Sequence, residues 1–316
     1  MRAATIRDGA IVVDEHPDPQ PGAGEVLVRV RAAGLNGADV LQRKGYYPPP
    51  PGAPADIPGL ELAGEVEAVG DGVRRFSAGD RVMSIVGGGG QAELAVVHER
   101  QLMPVPDALD WPAAGGTPEV FTTAHDALFT QAGLAPGERL LVHGAAGGVG
   151  TAAVQLGAAA GAQVTATVRN PDLRDGVAKL GAHAVIDPEG FADQGPFDVI
   201  LELVGAPNMP GNVRALNTLG RIVVIGIGAG AKAEVHLGAL MAKRGCISSS
   251  TLRPRPLEEK AATARRMEAH VLPLIERGSV TVPVAATFAL HEAAEAYGRF
   301  EAGGKLGKVV LTMPGA

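Results

Sequence analysis

From Leu140 to Val168 the chain carries no Asp, Glu, Lys or Arg. An uncharged run of that length can be a membrane span, a buried helix or a loop built to hold a phosphate. A span needs about 20 predominantly apolar residues, and the length suffices, but the texture does not. Gly144, Gly147, Gly148 and Gly150 cluster where a helix would start. His143, Gln155, Gln163 and several threonines break the apolar surface. The run divides better into a buried strand "RLLVH", a turn "GAAGGVG", a helix "TAAVQLGAAAG" and a second strand "QVTATV". Strands buried on both faces read as apolar runs without alternation. The expectation is a strand–turn–helix–strand unit, with no membrane span.

The turn can be written Ala145-x-Gly147-x-x-Gly150, with a further glycine at 148. It departs from the dinucleotide fingerprint by having alanine first, yet its mechanics hold. Gly147 lets the backbone approach a pyrophosphate, and Gly150 lets the helix pack closely on the strand. The start of the helix offers free N–H groups and a positive dipole end. Ala146, Gly147, Gly148, Val149 and Gly150 are therefore expected to cradle phosphates. About 20 residues on, an NAD site carries Asp or Glu for the ribose hydroxyls. This chain has Val168, Arg169 and Asn170 there, with Arg174 a turn further. A carboxylate repels a 2′-phosphate and a guanidinium holds one, so Arg169, Asn170 and Arg174 point to NADP(H). Two later strand-end turns, "LVGAP" with Gly205 and "IGIGAG" with Gly226, are expected to line the nicotinamide side.

The texture changes along the chain. The first third alternates apolar and polar residues, as in "GEVLVRVRAAGLN", "LAGEVEAVGDGV" and "DRVMSIV", which read as half-exposed strands. From about residue 137, buried strands alternate with helical pieces, the pattern of a parallel doubly wound sheet. "LEEKAATARRMEAHVLPLIERG" reads as one amphipathic helix. "FALHEAAEAYGRFEAG" places Leu290, Ala294 and Tyr297 on one helical face, and "GKVVLTM" closes the chain as a strand.

Composition narrows the function class. A formal net charge of −6 argues against nucleic acid as a partner. The single cysteine, Cys246, excludes an intrachain disulfide and any multi-cysteine metal site. It suits a reducing cytosol, and the N-terminal stretch lacks a signal-peptide apolar core. Cys246 lies in an apolar strand and is read as inert core.

"GERLLVHGAAGGVGTAAVQL" resembles the signature of the quinone oxidoreductase, or zeta-crystallin-like, branch of the medium-chain dehydrogenase/reductase superfamily. "GLNGADVLQRKGYYPPPPG", "GLELAGEVEAVG", "GDRVMSIVGGGGQAELAVV", "STLRPRPLEEK" and "GKVVLTM" extend the resemblance over nearly the whole chain. Ala158, where the signature usually has Lys, Arg or Ser, and Gly115-Gly116 depart from it. The resemblance implies an α/β fold, with a Rossmann doubly wound parallel sheet inserted into a GroES-like irregular β-barrel catalytic domain. The expected boundaries are 1–120 plus 256–316 for the catalytic domain and 121–255 for the NADP-binding domain, with the active site in the cleft. Thr251, Leu252 and Lys308 are implied as further nucleotide contacts.

Zinc alcohol dehydrogenases share that fold. Their cysteine and histidine ligands are replaced here by Asn36 and Leu60, and neither is a usual zinc ligand. No metal is expected. Without a Lewis acid, the hydride acceptor must already be electrophilic, as quinones and activated enones are. By resemblance, Asn36 and Tyr47 face the nicotinamide and the substrate and donate to a developing oxyanion. Tyr46 is an alternative for that role, and Tyr47 can also be read as a loop anchor packed on prolines. Asp39 is read as a cap of the following "VLQRKG" helix. The implied function is an NADPH-dependent, metal-free quinone or enone reductase in the cytoplasm, acting as a homodimer. The alternatives are an alkenal or enoyl-thioester reductase of the same superfamily and a weakly catalytic NADPH-binding protein.

Overall fold

The computed structural model describes residues 1–315. The chain divides into two units, each with its own sheet. One comprises Met1–Thr122, Leu252–Gly303 and the chain from Lys308 onward; the other comprises Thr123–Thr251 and Gly304–Gly307.

The first unit opens with a hairpin of β1 (Arg2–Arg7) and β2 (Ala10–Glu15). The long strand β3 (Glu25–Gly34) follows, then α1 (Gly37–Arg43), β4 (Glu61–Val69), β5 (Arg81–Ile85), β6 (Leu94–His98) and the short β7 (Met103–Pro104). The strands coincide with the alternating segments of the sequence because one face of each is buried: Val26, Val28 and Val30 of β3 are in the core. Two helices, α2 (Trp111–Gly115) and α3 (Pro118–His125), lead out of this part.

The second unit is a six-stranded, all-parallel sheet. Its strands are β8 (Arg139–Val142), β9 (Gln163–Thr167), β10 (Ala184–Ile186), β11 (Phe197–Glu202), β12 (Leu216–Val224) and β13 (Cys246–Ser249). In space they run β10-β9-β8-β11-β12-β13, so the order reverses between β8 and β11. That is the doubly wound arrangement, with the ligand site of such sheets at the carboxyl ends beside the reversal. Four helices alternate with the strands: α4 (Gly148–Ala159), α5 (Arg174–Lys179), α6 (Met209–Ala215) and α7 (Leu237–Lys243). The strand cores are apolar on both faces; Leu140, Leu141, Val142, Val199, Ile200 and Leu201 are fully buried.

The chain then returns to the first unit through α8 (Leu257–His270), α9 (Leu272–Glu276), β14 (Val284–Ala289), α10 (Ala293–Glu301) and β15 (Lys308–Thr312). β15 pairs with β3 and completes a seven-stranded sheet of order β14-β15-β3-β4-β5-β7, with β6 pairing β3. Three expectations need correction here. The "LEEKAATARRMEAHVLPLIERG" segment is two helices, broken at Val271, because Pro273 cannot donate within a continuing helix. On α10 the buried face is Ala293, Ala296 and Tyr297, and Ala294 is exposed. Leu290 sits in a separate turn before the helix, so the helical phase starts later than the pattern suggested. Cys246 is exposed, because β13 is the edge of its sheet and α7 beside it buries none of its own residues.

No helix among the described residues is long and apolar enough to cross a membrane.

Candidate functional site

The glycine-rich turn joins β8 to α4. Gly144 has φ +61° and reverses the chain after the strand. A Cβ on Gly150 would lie 2.5 Å from the Gly144 carbonyl oxygen and 2.6 Å from Ala145 Cα, so only glycine lets the helix start against the turn. Gly147 is different. A Cβ there would meet only the Gly144 oxygen, at 3.4 Å, so the backbone at 147 is bare toward the outside. Gly147 caps α4 with no side chain. The Gly148 N–H faces Gly307 O across the Gly147–Gly307 bridge, whereas the N–H groups of Val149 and Gly150 have no partner among the described residues. Two free N–H groups at the start of a twelve-residue helix form an anion cradle. The donors fit a nucleotide pyrophosphate.

The turn is tied to the next strand by Ala145 N–H donating to Thr167 O at 3.2 Å. Beyond β9 the three expected 2′-phosphate residues part company. Asn170 accepts from Asp172 N–H at 3.0 Å and caps a short turn. Arg174 donates to Val168 O at 3.1 Å and to Asp187 at 2.6 Å. Arg169 alone is exposed, with no hydrogen bond or ion pair of its side chain among the described residues.

The other strand ends are organised by a buried network that sequence reasoning did not single out. Glu202, fully buried at the end of β11, accepts from Val204 N–H (2.7 Å), Gly205 N–H (2.8 Å), Asn208 Nδ2 (3.3 Å) and Asn212 Nδ2 (2.7 Å). The amide of Asn212 thus turns its Oδ1 toward His143 Nε2 at 2.8 Å. His143 Nε2 must be the donor, and Nδ1 then accepts from the Thr167 hydroxyl at 3.1 Å. Burial holds the His143 pKa below its usual range, against the pull of Glu202. The network folds the turn holding Gly205, whose φ is +120°. Gly226 lies against it, for a Cβ there would sit 2.3 Å from Leu203 O. Thr251 follows β13 in the same unit.

The expected chemistry of the first unit centres on Asn36. It caps α1, and Asp39 reaches back to accept its backbone N–H at 2.8 Å. Asp39 also accepts from Gly59 N–H at 3.1 Å and faces Gln91 Nε2 at 3.4 Å. It therefore caps the helix, as read from the sequence, but it is completely buried. That burial pushes its carboxyl pKa from 3.8 to about 7, against the two N–H donors. Gln91 accepts from the Tyr297 hydroxyl at 2.9 Å, and burial raises that phenol's pKa well above 10.

The Asn36 side chain meets two further residues. Its Nδ2 donates to Glu61 Oε1 at 2.9 Å, and its Oδ1 accepts from Lys308 Nζ at 2.7 Å. Lys308 lies 2.6 Å from Glu61, and both are buried. Lys308 thus falls with Asn36 and Glu61 in the first unit, and Leu252 is a buried core residue of that unit. Gly34 leaves the necessary room: a Cβ there would come 2.3 Å from Glu61 Oε1.

Tyr47 is half-buried, with the Arg253 guanidinium 5.0 Å over its ring. Arg253 donates to Tyr47 O at 2.9 Å and Gly87 O at 2.8 Å, and also to Gln42. Arg253, which sequence reasoning missed, therefore anchors the proline-rich loop; the only hint was its place in "STLRPRP". Tyr46 is 78% exposed.

A zinc ion does not fit these donors. Asn36 and Leu60 stand at the ligand positions, and Leu60 is core. Glu61 is engaged by an ammonium, and no group of three or more His, Cys, Asp or Glu side chains gathers among the described residues.

Comparison with known proteins matches these features. Residues 22–107 fit the family model for the alcohol dehydrogenase GroES-like domain, and residues 148–271 that for the zinc-binding dehydrogenase. A quinone oxidoreductase of Pseudomonas aeruginosa is 36% identical over 310 residues, covering 94% of each chain. The chain belongs to the quinone oxidoreductase branch of the medium-chain dehydrogenase/reductase superfamily. This superfamily member is an oxidoreductase on a pyridine-nucleotide-binding fold. It is also 34% identical, over 301 residues, to polyketide synthase GfsB of Streptomyces halstedii, covering 93% of this chain and 5% of that one. A mycobacterial protein solved in complex with NADPH superposes with a TM-score of 0.87 at 28% identity, covering 99% of this chain and all of that one.

Proposed function

We propose that the protein reduces quinones or activated α,β-unsaturated carbonyls by hydride transfer, with NADPH as donor and no metal. The observation that carries the reading is the Asn36–Glu61–Lys308 cluster, where an amide stands in place of a metal ligand beside a buried ammonium. Such a site offers hydrogen bonds and a positive charge but no Lewis-acidic ion. It suits an acceptor whose conjugation already stabilises the incoming electron pair. NADPH, when bound, supplies the hydride from its nicotinamide ring.

The chain's residues divide the remaining work. The free N–H groups of Val149 and Gly150 hold the pyrophosphate against the bare backbone of Gly147 and Gly148, and Arg169 holds the 2′-phosphate. Gly205 and Gly226 keep the strand-end turns free of side chains beside the nicotinamide. Asn36 donates to the acceptor oxygen as negative charge grows on it. Tyr47, held by Arg253, shapes the acceptor side. Alkenals and enoyl thioesters form the second acceptor class, since both carry the same conjugated carbonyl.

We also propose a homodimer through β13. That edge strand is unpaired on one side, and Leu237 (67% exposed) and Met241 (75% exposed) stand on α7. Pairing two such edges satisfies open backbone groups. Light scattering that gives the mass of one chain would refute it.

The deciding test of the activity is the initial rate of NADPH and NADH oxidation by EDTA-treated protein with an ortho-quinone. NADPH-preferring turnover is expected. No turnover with any quinone or enone, at any nucleotide, overturns the reading.

A further inference from the structure

The polar groups around Asn36 are nearly all spoken for. Lys308 spends its three protons on Leu35 O (2.8 Å), Asn36 Oδ1 (2.7 Å) and Glu61 Oε1 (2.6 Å). Glu61 accepts Lys308 and Asn36 on Oε1, and Glu119 N–H on Oε2 at 2.8 Å. The ammonium can only donate, so the Asn36 amide cannot be reversed: its oxygen must face Lys308 and its nitrogen Glu61. One N–H of Asn36 is then used well. The other is directed at Gly34 O across 3.4 Å, a weak bond. It is the one poorly engaged proton of the cluster, on a residue still 9% exposed.

We propose that Lys308 is a positioning residue that orients and polarises the Asn36 amide, so that this second N–H is presented to the acceptor oxygen. The inference rests on the reduction reading above. An ammonium on the amide oxygen draws electron density from the amide nitrogen and strengthens its remaining N–H as a donor. The same fixed charge, in a buried setting, favours the negative charge that develops on the acceptor. Lys308 does this without touching the substrate. It is a cation tethered to the amide oxygen, and it comes from β15, over 270 positions further along the chain than Asn36.

The test compares wild type, Lys308→Met, Glu61→Gln and the double variant, each full length, for thermal midpoint and for turnover of NADPH with phenanthrenequinone. Lys308→Met leaves the Glu61 carboxylate buried without its cation, so the midpoint falls. Its kcat falls about 10- to 100-fold, less than on removing a direct oxyanion donor, while KM for NADPH holds. The double variant removes both charges and recovers the midpoint, but kcat stays low because the amide still lacks its cation. Recovery of kcat together with the midpoint overturns the proposal and leaves Lys308 as a mere partner for Glu61. Should wild type reduce no acceptor, the function reading falls, and Lys308 is judged by NMR instead. The side-chain amide resonances of Asn36, identified by their loss in Asn36→Ser, are compared between Glu61→Gln and the double variant. A shift supports the proposal; unchanged resonances overturn it.

Discussion

The two polar regions of this chain are built in opposite ways. The cradle before α4 is backbone: its donors are consecutive N–H groups, and side chains enter only by being absent. The cluster around Asn36 is side chain: an amide, a carboxylate and an ammonium from three elements far apart in sequence. The difference sets how each fails. A backbone site is broken by adding atoms. A side-chain site is broken by removing one charge from a closed set.

The sharpest break of the comparison is at Gly150. Its Cβ would collide with backbone at 2.5 and 2.6 Å, so Gly150→Val is expected to abolish nucleotide binding and to cost several degrees of midpoint. Gly147→Ala meets backbone only at 3.4 Å and keeps the fold, but crowds the phosphates. Titration calorimetry with NADPH separates the two; equal midpoint losses would mean that Gly147 is structural after all.

Arg169 comes next. Arg169→Ala removes one charge-assisted contact and should weaken NADPH binding by about 1.5–3 kcal/mol, leaving NADH unchanged. Arg174→Ala should instead lower the thermal midpoint slightly, because that side chain already serves Val168 and Asp187. Loss of NADPH selectivity in Arg174→Ala but not in Arg169→Ala would reverse the assignment.

Asp39 sharpens the comparison through pH. Its folded pKa is raised from 3.8 to about 7. The folded state therefore holds its proton more tightly than the unfolded chain, and its contribution to stability is complete below about pH 4. It is lost as pH climbs to about 7. Asp39→Asn should flatten the fall in midpoint between those limits; an identical slope in both proteins would show that Asp39 does not carry it. Smallest of all, Tyr46→Phe should leave kcat and KM unaltered, since that ring is 78% exposed. A drop in kcat would move the acceptor site to Tyr46.

Legibility in the sequence follows the same division. Glycine spacing after an apolar run marked the turn, and strand–helix alternation marked the parallel sheet, because both depend on neighbours in the chain. Exposure at the sheet edge was marked only in part. "CISSST" reads as the edge strand of its sheet, which β13 is, but its letters do not show that Cys246 itself opens to solvent. Lys308 entered only through the resemblance, as a nucleotide contact, and nothing local in "GKVVLTM" shows that β15 pairs with β3 and turns the ammonium toward Glu61. The His143–Glu202–Asn212 network had only a faint signal, a His and a Glu each closing a buried strand.

Chain order alone therefore settles where the backbone turns, which strands are buried on both faces, and that a glycine-rich turn opens α4. Local sterics and hydrogen bonding act over a few residues and are written in consecutive letters. Which charges meet is another matter. That Asn36, Glu61 and Lys308 share one buried cluster, that Arg253 holds the Tyr47 loop and that Arg169, unlike Asn170 and Arg174, has no side-chain partner among the described residues is decided by tertiary structure. A buried charge must find its partner wherever the sheet register brings one.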